Sequence, residues 1–227
     1  TYKEKNKLFT GNNIKVSNRN KFDIQFDNIF KLIRKLDWDT NYWGFNIAFL
    51  SSRRLTESIL YRIIKFTRKN KIRLIEYLCD CHDKKSVSLA EKNGFEFKDI
   101  RLTFEKNLCG YRNTNNYKDI NYFLANDKHI PNIRELSKDI YKDSRYYFDN
   151  NFDKNKFSEF YMLWAEKAIR GEYDDECFVI EMNNEITGFC TVKYNDNRAH
   201  IGLVGISKNH SGKGIGSKLM HCFFEEM

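Results

Sequence analysis

The sequence predicts an α/β protein in two units, the second with strands joined by hairpins and flanked by helices. Three observations lead there. Helical and strand periodicities alternate along the 227 residues, a length that allows one or two domains at about 150 residues each. Charge divides unevenly: residues 1–116 hold 24 basic and 13 acidic side chains, net +11, and residues 117–227 hold 15 and 18, net −3, within an overall +8. A polar, Asn-rich stretch at 107–117 lies where the balance changes and reads as a linker. The domains are accordingly expected at 1–110 and 111–227.

Composition excludes several classes. Hydrophobic residues make up 41% and aromatics 15%, enough for a core and far from disordered, collagen-like or coiled-coil chains. No apolar run approaches the ~20 residues of a membrane span, and no signal peptide opens the chain, so a cytoplasmic protein without membrane contact is expected. Six cysteines are too few for a disulfide scaffold, and free thiols follow. The pairs Arg53-Arg54, Arg68-Lys69 and Lys84-Lys85 are scattered beside no nucleic-acid-binding motif, so no such partner is expected. Cys79-Asp80-Cys81-His82 lacks a second ligand cluster at zinc-site spacing; it reads as a strand-end coincidence, and no metal is expected.

Each element can be taken in order. Residues 1–20 are polar and expected to be loosely ordered, and 22–36 mix apolar positions without one period. Residues 36–45, with Trp38, Tyr42 and Trp43, read as a turn-like aromatic segment before a strand at 46–50. Thr56 is placed to cap a helix to about Lys69, whose Ile59, Leu60, Ile63 and Ile64 share a face. A strand at 72–78 and a short helix at 86–93, stopped by Asn93-Gly94, follow, then a further strand at 95–104.

The second half is more regular. A strand at 120–124 precedes a helix at 129–141, capped by Asp127 and carrying Pro131, the chain's one proline, in its first turn. A Tyr-, Asp- and Asn-rich loop leads to a helix at 154–170, where Phe157, Phe160, Tyr161, Trp164 and Ala168 make a stripe before Gly171. Three strands at 177–182, 186–194 and 200–206 are joined by Asn183-Asn184 and Asn195-Asp196-Asn197. Cys177, Cys190 and Cys222 fall on apolar faces and read as small core residues. A last amphipathic helix covers 217–224.

The chemistry concentrates between that last strand and last helix, in Val204-Gly205-Ile206-Ser207-Lys208-Asn209-His210-Ser211-Gly212-Lys213-Gly214-Ile215-Gly216-Ser217. Alternating glycines let successive backbone N–H groups face one anion, and a helix N-terminus adds free donors and the positive end of its dipole. A pyrophosphate is the expected guest. The loop is not a Walker A sequence, because Gly214 and not Ser or Thr follows Lys213, and GxGxG is not the dinucleotide GxGxxG. The competing reading is a flexible turn before a surface helix.

Ser211-Gly212-Lys213-Gly214-Ile215-Gly216 resembles the acyl-CoA-binding motif of the GCN5-related N-acetyltransferase (GNAT) family, with Ser211 where that family usually has Arg or Gln. Trp38 to Gly44, Ser144-Arg145-Tyr146, and Phe160-Tyr161 through Trp164 to Arg170-Gly171 resemble the branch that acetylates TDP-fucosamine. Leu89 to Phe95 resembles the closing helix and strand of an acetyltransferase domain, as if the first half were a degenerate half-copy.

The resemblance implies the GNAT acyl-CoA N-acyltransferase fold, a mixed, mostly antiparallel sheet flanked by helices with an accessory α/β domain in front of it, and acetyl-CoA as co-substrate. The amides of Gly212, Lys213, Gly214, Ile215, Gly216 and Ser217 would hold its pyrophosphate, and the backbone of Val204, Gly205 and Ile206 its pantetheine arm. The acceptor it implies is the amino group of a nucleotide-linked amino-deoxysugar used for surface polysaccharide, within a homodimer. Arg145, Tyr146 and Tyr147 are candidates for acceptor contacts, with a salt bridge and core aromatics as the competing reading. Asp99 is a candidate base, against a solvated surface carboxylate. The family's usual acid is a Tyr beyond the next strand, which lies past Met227, so a domain short of its last strand and helix is expected. Other amines (a peptide N-terminus, a polyamine, an antibiotic) and a non-catalytic acyl-CoA- or nucleotide-binding module stand as alternatives.

Overall fold

The structure is a computed structural model, and it describes residues 32–227 apart from Asn116, Lys118 and Asp139. The readings of 1–20 and of most of 22–36 lie outside the described residues. The chain divides into two compact units, Thr1–Arg101 and Leu102–Met227.

In the first unit β1 (Ile33–Lys35), α1 (Asp37–Trp43), β2 (Ile47–Leu50), α2 (Glu57–Asn70), β3 (Leu74–Tyr77) and α3 (Lys84–Lys92) follow one another. β2 pairs antiparallel with β1 and parallel with β3. A parallel pair needs a long crossover, and α2 supplies it. The predicted face of α2 packs: Leu60, Ile63 and Phe66 are buried with Ile33, Ala48 and Leu50. Thr56 caps it as expected, its hydroxyl accepting the Ile59 N–H at 3.2 Å.

Two readings of this half are corrected. The aromatic segment at 36–45 is a helix, not a turn. Gly44, at φ 77°, ends it in the left-handed conformation, and the buried Thr40 hydroxyl accepts the Ile47 N–H at 3.0 Å, tying the helix to β2. The strand expected at 95–104 does not form. Phe95 packs edge-on against Tyr77, ring centres 5.7 Å apart, but Phe97, Ile100, Leu102 and Phe104 are all more than 70% exposed. A strand is held by cross-strand neighbours, and alternation without a partner does not make one.

The second unit holds β4 (Asn121–Leu124), α4 (Ile130–Ser137), α5 (Arg145–Phe148), α6 (Lys154–Ile169), β5 (Glu176–Met182), β6 (Glu185–Asn195), β7 (Arg198–Ile206) and α7 (Ile215–Glu226). Its sheet runs β4-β5-β6-β7, antiparallel throughout. Asn183 and Asn184, both at positive φ, make the tight turn that β5 and β6 require.

Helices cover both faces of this sheet. Phe178, Ile180, Cys190 and Val192 form a cluster with Ile215, Leu219 and Phe223 of α7, and the alternate residues, Val179 and Phe189 among them, lie on the opposite face. There the Arg134 side chain of α4 bridges to α6, bonding Glu159 at 2.8 Å and Glu166 at 2.5 Å. Burial pushes the Cys177 thiol far above its ordinary range and that of Cys190 up to about 12.

The helix expected at 129–141 is shorter, and the side-chain cap belongs to a 3-10 turn at Asp127–His129 that leads into it. Asn126, not Asp127, accepts the Lys128 N–H at 3.1 Å, while His129 Nδ1 accepts the Asn126 N–H at 2.9 Å. At the other end the Ser137 hydroxyl donates to the Arg134 carbonyl at 2.9 Å, a side-chain bond that competes with further helical turns. The loop read between 141 and 154 contains the short helix α5.

Two outcomes are expected. Leu219→Ala removes a fully buried side chain from between α7 and the sheet, and should cost about 2–5 kcal/mol in urea unfolding. With Ellman's reagent the exposed Cys81 and Cys109 should react in the native protein, and Cys177 and Cys190 only after denaturation.

Candidate active site

Between β7 and α7 the chain makes a 3-10 turn at Lys208–His210 and then the glycine loop. Gly212 and Gly214 sit at φ 74° and 78°, the left-handed region where only glycine is free of strain. A Cβ at either would meet nothing within 4 Å, so backbone conformation, not crowding, demands these two glycines. Gly216 differs: it is helical, and a Cβ there would be 3.7 Å from Ile206, an ordinary contact. The first helical bond of α7 runs from the Lys218 N–H to the Gly214 carbonyl at 3.1 Å. The amides of Ile215, Gly216 and Ser217 precede that bond and have no helical acceptor, at the positive end of the helix. Ser211, Lys208 and Lys213 are exposed around them, and His210 Nδ1 lies 3.0 Å from the Ser207 hydroxyl.

β7 leads into this loop along an edge of the sheet. Main-chain groups of a strand point alternately to either side. The Ser207 N–H bonds the Thr187 carbonyl of β6 at 2.8 Å, so Ser207 and Gly205 face β6, and Val204 and Ile206 face away from it. The Val204 carbonyl is taken by the Tyr141 hydroxyl, which donates at 3.1 Å. Tyr141 in turn stacks on Tyr161 with ring centres 4.3 Å apart, and burial raises its phenol well above the usual range. Beside this edge lies a cleft of about 370 Å³ lined by Ile140, Val204, Gly205, Ile206, Lys208 and Ser211. Gly205 packs inward: a Cβ on it would come within 2.4 Å of Ile140 Cδ1 and 2.5 Å of Phe189 Cε1.

The direction of Val204 and Ile206 depends on an irregularity two residues upstream. Val192 of β6 pairs with Ile201, but Cys190 pairs with Val204. Two steps on β6 therefore oppose three on β7, which is a bulge at Gly202-Leu203. Opposite it the Thr191 hydroxyl accepts the Leu203 N–H at 2.8 Å and donates to Asp174 Oδ2 at 2.6 Å. The indole N–H of Trp164 bonds the same oxygen at 2.9 Å.

The other expected site residues are dispersed. Arg145, Tyr146 and Tyr147 stand together on α5. Tyr146 is buried among Phe152, Phe160 and Tyr161 and holds Arg145, whose guanidinium donates to its hydroxyl at 2.9 Å and lies over its ring. Tyr147 is half-buried against Phe157. Asp99 is exposed on the irregular stretch after α3, in the first unit. Trp164 is both part of the α6 stripe and a donor to Asp174. Tyr141, Thr191 and Asp174 carry no motif and were not singled out from the sequence; their roles arise from contacts across 63, 12 and 17 residues. Among the described residues no group of three or more His, Cys, Asp or Glu is placed to hold a metal ion, and no helix is long and apolar enough to cross a membrane.

Residues 134–227 match the model of the acetyltransferase (GNAT) family, and the second unit has that family's fold. Over 108 residues the chain is 29% identical to the dTDP-fucosamine acetyltransferase of Escherichia coli O6:H1; the match takes in 47% of this chain and 45% of that protein, so the chain spans less than half the length of this curated relative. A functionally unknown conserved protein from Staphylococcus epidermidis superposes on 80% of this chain and 70% of its own with a TM-score of 0.52 at 14% identity. A GNAT family acetyltransferase from Brucella melitensis, solved in complex with acetyl-CoA, aligns with 48% of this chain and 69% of its own at 15% identity and a TM-score of 0.36.

The packing of Gly205 gives a prediction. Gly205→Ala forces Phe189 or Ile140 to move, and should lower stability by about 1–3 kcal/mol in denaturant titration.

Proposed function

We propose that the second unit binds acetyl-CoA along the outer edge of β7 and the glycine loop, and catalyses transfer of its acetyl group to an amine. The single observation that carries this reading is a juxtaposition. Outward main-chain groups of Val204 and Ile206, a cleft of about 370 Å³ and the unbonded amides at the start of α7 follow one another along the chain. A guest with an amide-bearing arm and a phosphate end fits that order: the arm adds to the strand edge and the phosphates meet the amides of Gly212 and of Gly214 to Ser217, while the Lys213 amide donates to the His210 carbonyl at 3.4 Å. These residues fit CoA without a basic field of their own, because backbone donors supply the attraction.

The bound thioester supplies a carbonyl carbon for attack and a thiolate to depart. The chain's part is to hold and polarise. An outward N–H of Val204 or Ile206 donates to the thioester oxygen as negative charge develops there. The proton lost by the attacking amine passes through solvent to the departing thiolate. Arg145, kept in place by Tyr146, and Tyr147 are the proposed acceptor contacts, the guanidinium fork matching a phosphate.

We infer further that the acceptor is the amino group of a nucleotide-linked amino-deoxysugar, used for surface polysaccharide in the cytoplasm. Its support is the name of the E. coli relative, together with Arg145 on α5. Residues 1–110 would then be the accessory domain and 111–227 the acetyltransferase domain. The excess positive charge of the first half, net +11 over residues 1–116, suits attraction of an anionic acceptor.

The test is free-thiol release from acetyl-CoA with a panel of TDP- and UDP-amino sugars, a peptide and a polyamine. Thiol release with an amino sugar is expected; release only with the peptide or polyamine overturns the sugar, and no binding of acetyl-CoA by calorimetry overturns the loop. Gly214→Val places a β-branched residue at φ 78°, and should weaken CoA binding about tenfold or more.

A further inference from the structure

An edge strand that binds a ligand through its main chain must present the right residues outward, and β7 changes which residues those are partway along. On β6 the Asp175 N–H bonds the Val192 carbonyl at 2.9 Å, and the Tyr194 N–H bonds Asp175 Oδ2 at 2.7 Å. Val192 and Tyr194 therefore face β5, and Lys193 and Asn195 face β7. Their partners His200 and Arg198 face β6 in return, leaving Ala199 and Ile201 outward. Carried on without interruption, that alternation would turn Leu203 and Gly205 outward and Val204 and Ile206 inward. The extra residue at Gly202-Leu203 reverses it.

A bulge needs something to hold its unpaired group, and here side chains do so. We propose that Thr191 and Asp174 are positioning residues for CoA binding. By bonding the bulged Leu203 amide they fix the phase of β7, and so decide that Val204 and Ile206 present their main-chain groups to the arm of the ligand. This rests on the reading of β7 as the CoA edge.

The contacts form one chain. The Leu203 N–H donates to Thr191 Oγ1, the Thr191 hydroxyl donates to Asp174 Oδ2, and the Trp164 indole donates to the same oxygen. Thr191 is fully buried and Asp174 is 4% exposed, so water does not replace a lost partner. The site admits no side chain at Gly202. A Cβ on Gly202 would lie 2.3 Å from Asp174 Oδ2 and 2.8 Å from Thr191 Oγ1. The loop bearing Asp174 is itself anchored, since Lys193 Nζ bonds the Tyr173 carbonyl at 2.8 Å and the Asp175 amide is held by Val192. None of these groups reaches the cleft. They act through the strand.

The experiment compares two ligands by calorimetry on the full chain: CoA, which uses both strand edge and loop, and 3′-phospho-ADP, which carries only the phosphate end. Thr191→Val and Asp174→Leu should each weaken CoA about tenfold, as expected when a buried amide or hydroxyl loses its acceptor, and leave 3′-phospho-ADP within about twofold. Thr191→Ser, which keeps the hydroxyl, should match the parent. Unchanged CoA affinity in Thr191→Val, or equal loss of both ligands in a folded variant, overturns the proposal. Failure of the parent protein to bind CoA overturns the reading beneath it instead. Amide exchange in the unaltered protein gives a second check that needs no variant. The Leu203 amide should exchange more slowly than those of Val204 and Ile206, and equal rates would refute the assignment.

Discussion

A β-strand gives its main chain no choice of direction: each residue faces the opposite neighbour from the last. In the second unit that constraint governs the rest. Gly205 faces β6 and leaves room only for a hydrogen beside Ile140, Phe189 and Leu136, so α4, which carries Leu136, can lie close to the sheet. Val204 and Ile206 face outward along the edge, and the Val204 carbonyl reaches the Tyr141 hydroxyl. Ile206 also meets the cluster built on Leu219 and Phe223, which sets where α7 starts and hence where its unbonded amides lie. One inserted residue at Gly202-Leu203 determines this arrangement, and a threonine and an aspartate with no exposed surface to spare hold it.

The first and second units differ in how they could recognise an anion. Backbone donors in the glycine loop are fixed dipoles that work at contact range, which fits a half whose net charge is −3. Long-range attraction requires side-chain charge, and that resides mostly in the first half. The two mechanisms operate on different distance scales, because ions in solution screen the second beyond about 8 Å at physiological salt.

Much of this was legible in the sequence where local chemistry decides structure. Thr56 and Gly171 marked the helix ends they occupy, Asn183-Asn184 marked its hairpin, and the strands and helices of the second half fell within a few residues of their observed bounds. The glycine loop was legible because positive φ restricts the residue type. What was missed depends on partners distant in sequence. The stretch 95–104 alternates like a strand but finds no ladder. The aromatic run at 36–45 coils because Thr40 bonds Ile47 across the following turn. Tyr146, open to reading as an acceptor contact or a core aromatic, lies buried among Phe152, Phe160 and Tyr161 and holds Arg145. Thr191 and Asp174 look like any polar residues in a strand and a loop, since nothing local announces a bulge on another strand.

Tyr141 leaves a one-sided polarity on the edge of β7. The Tyr141 hydroxyl takes one of the two lone pairs of the Val204 carbonyl, so that residue meets a passing molecule with a free donor and half of its acceptor capacity. A phenol thus biases this stretch of edge toward giving hydrogens rather than receiving them.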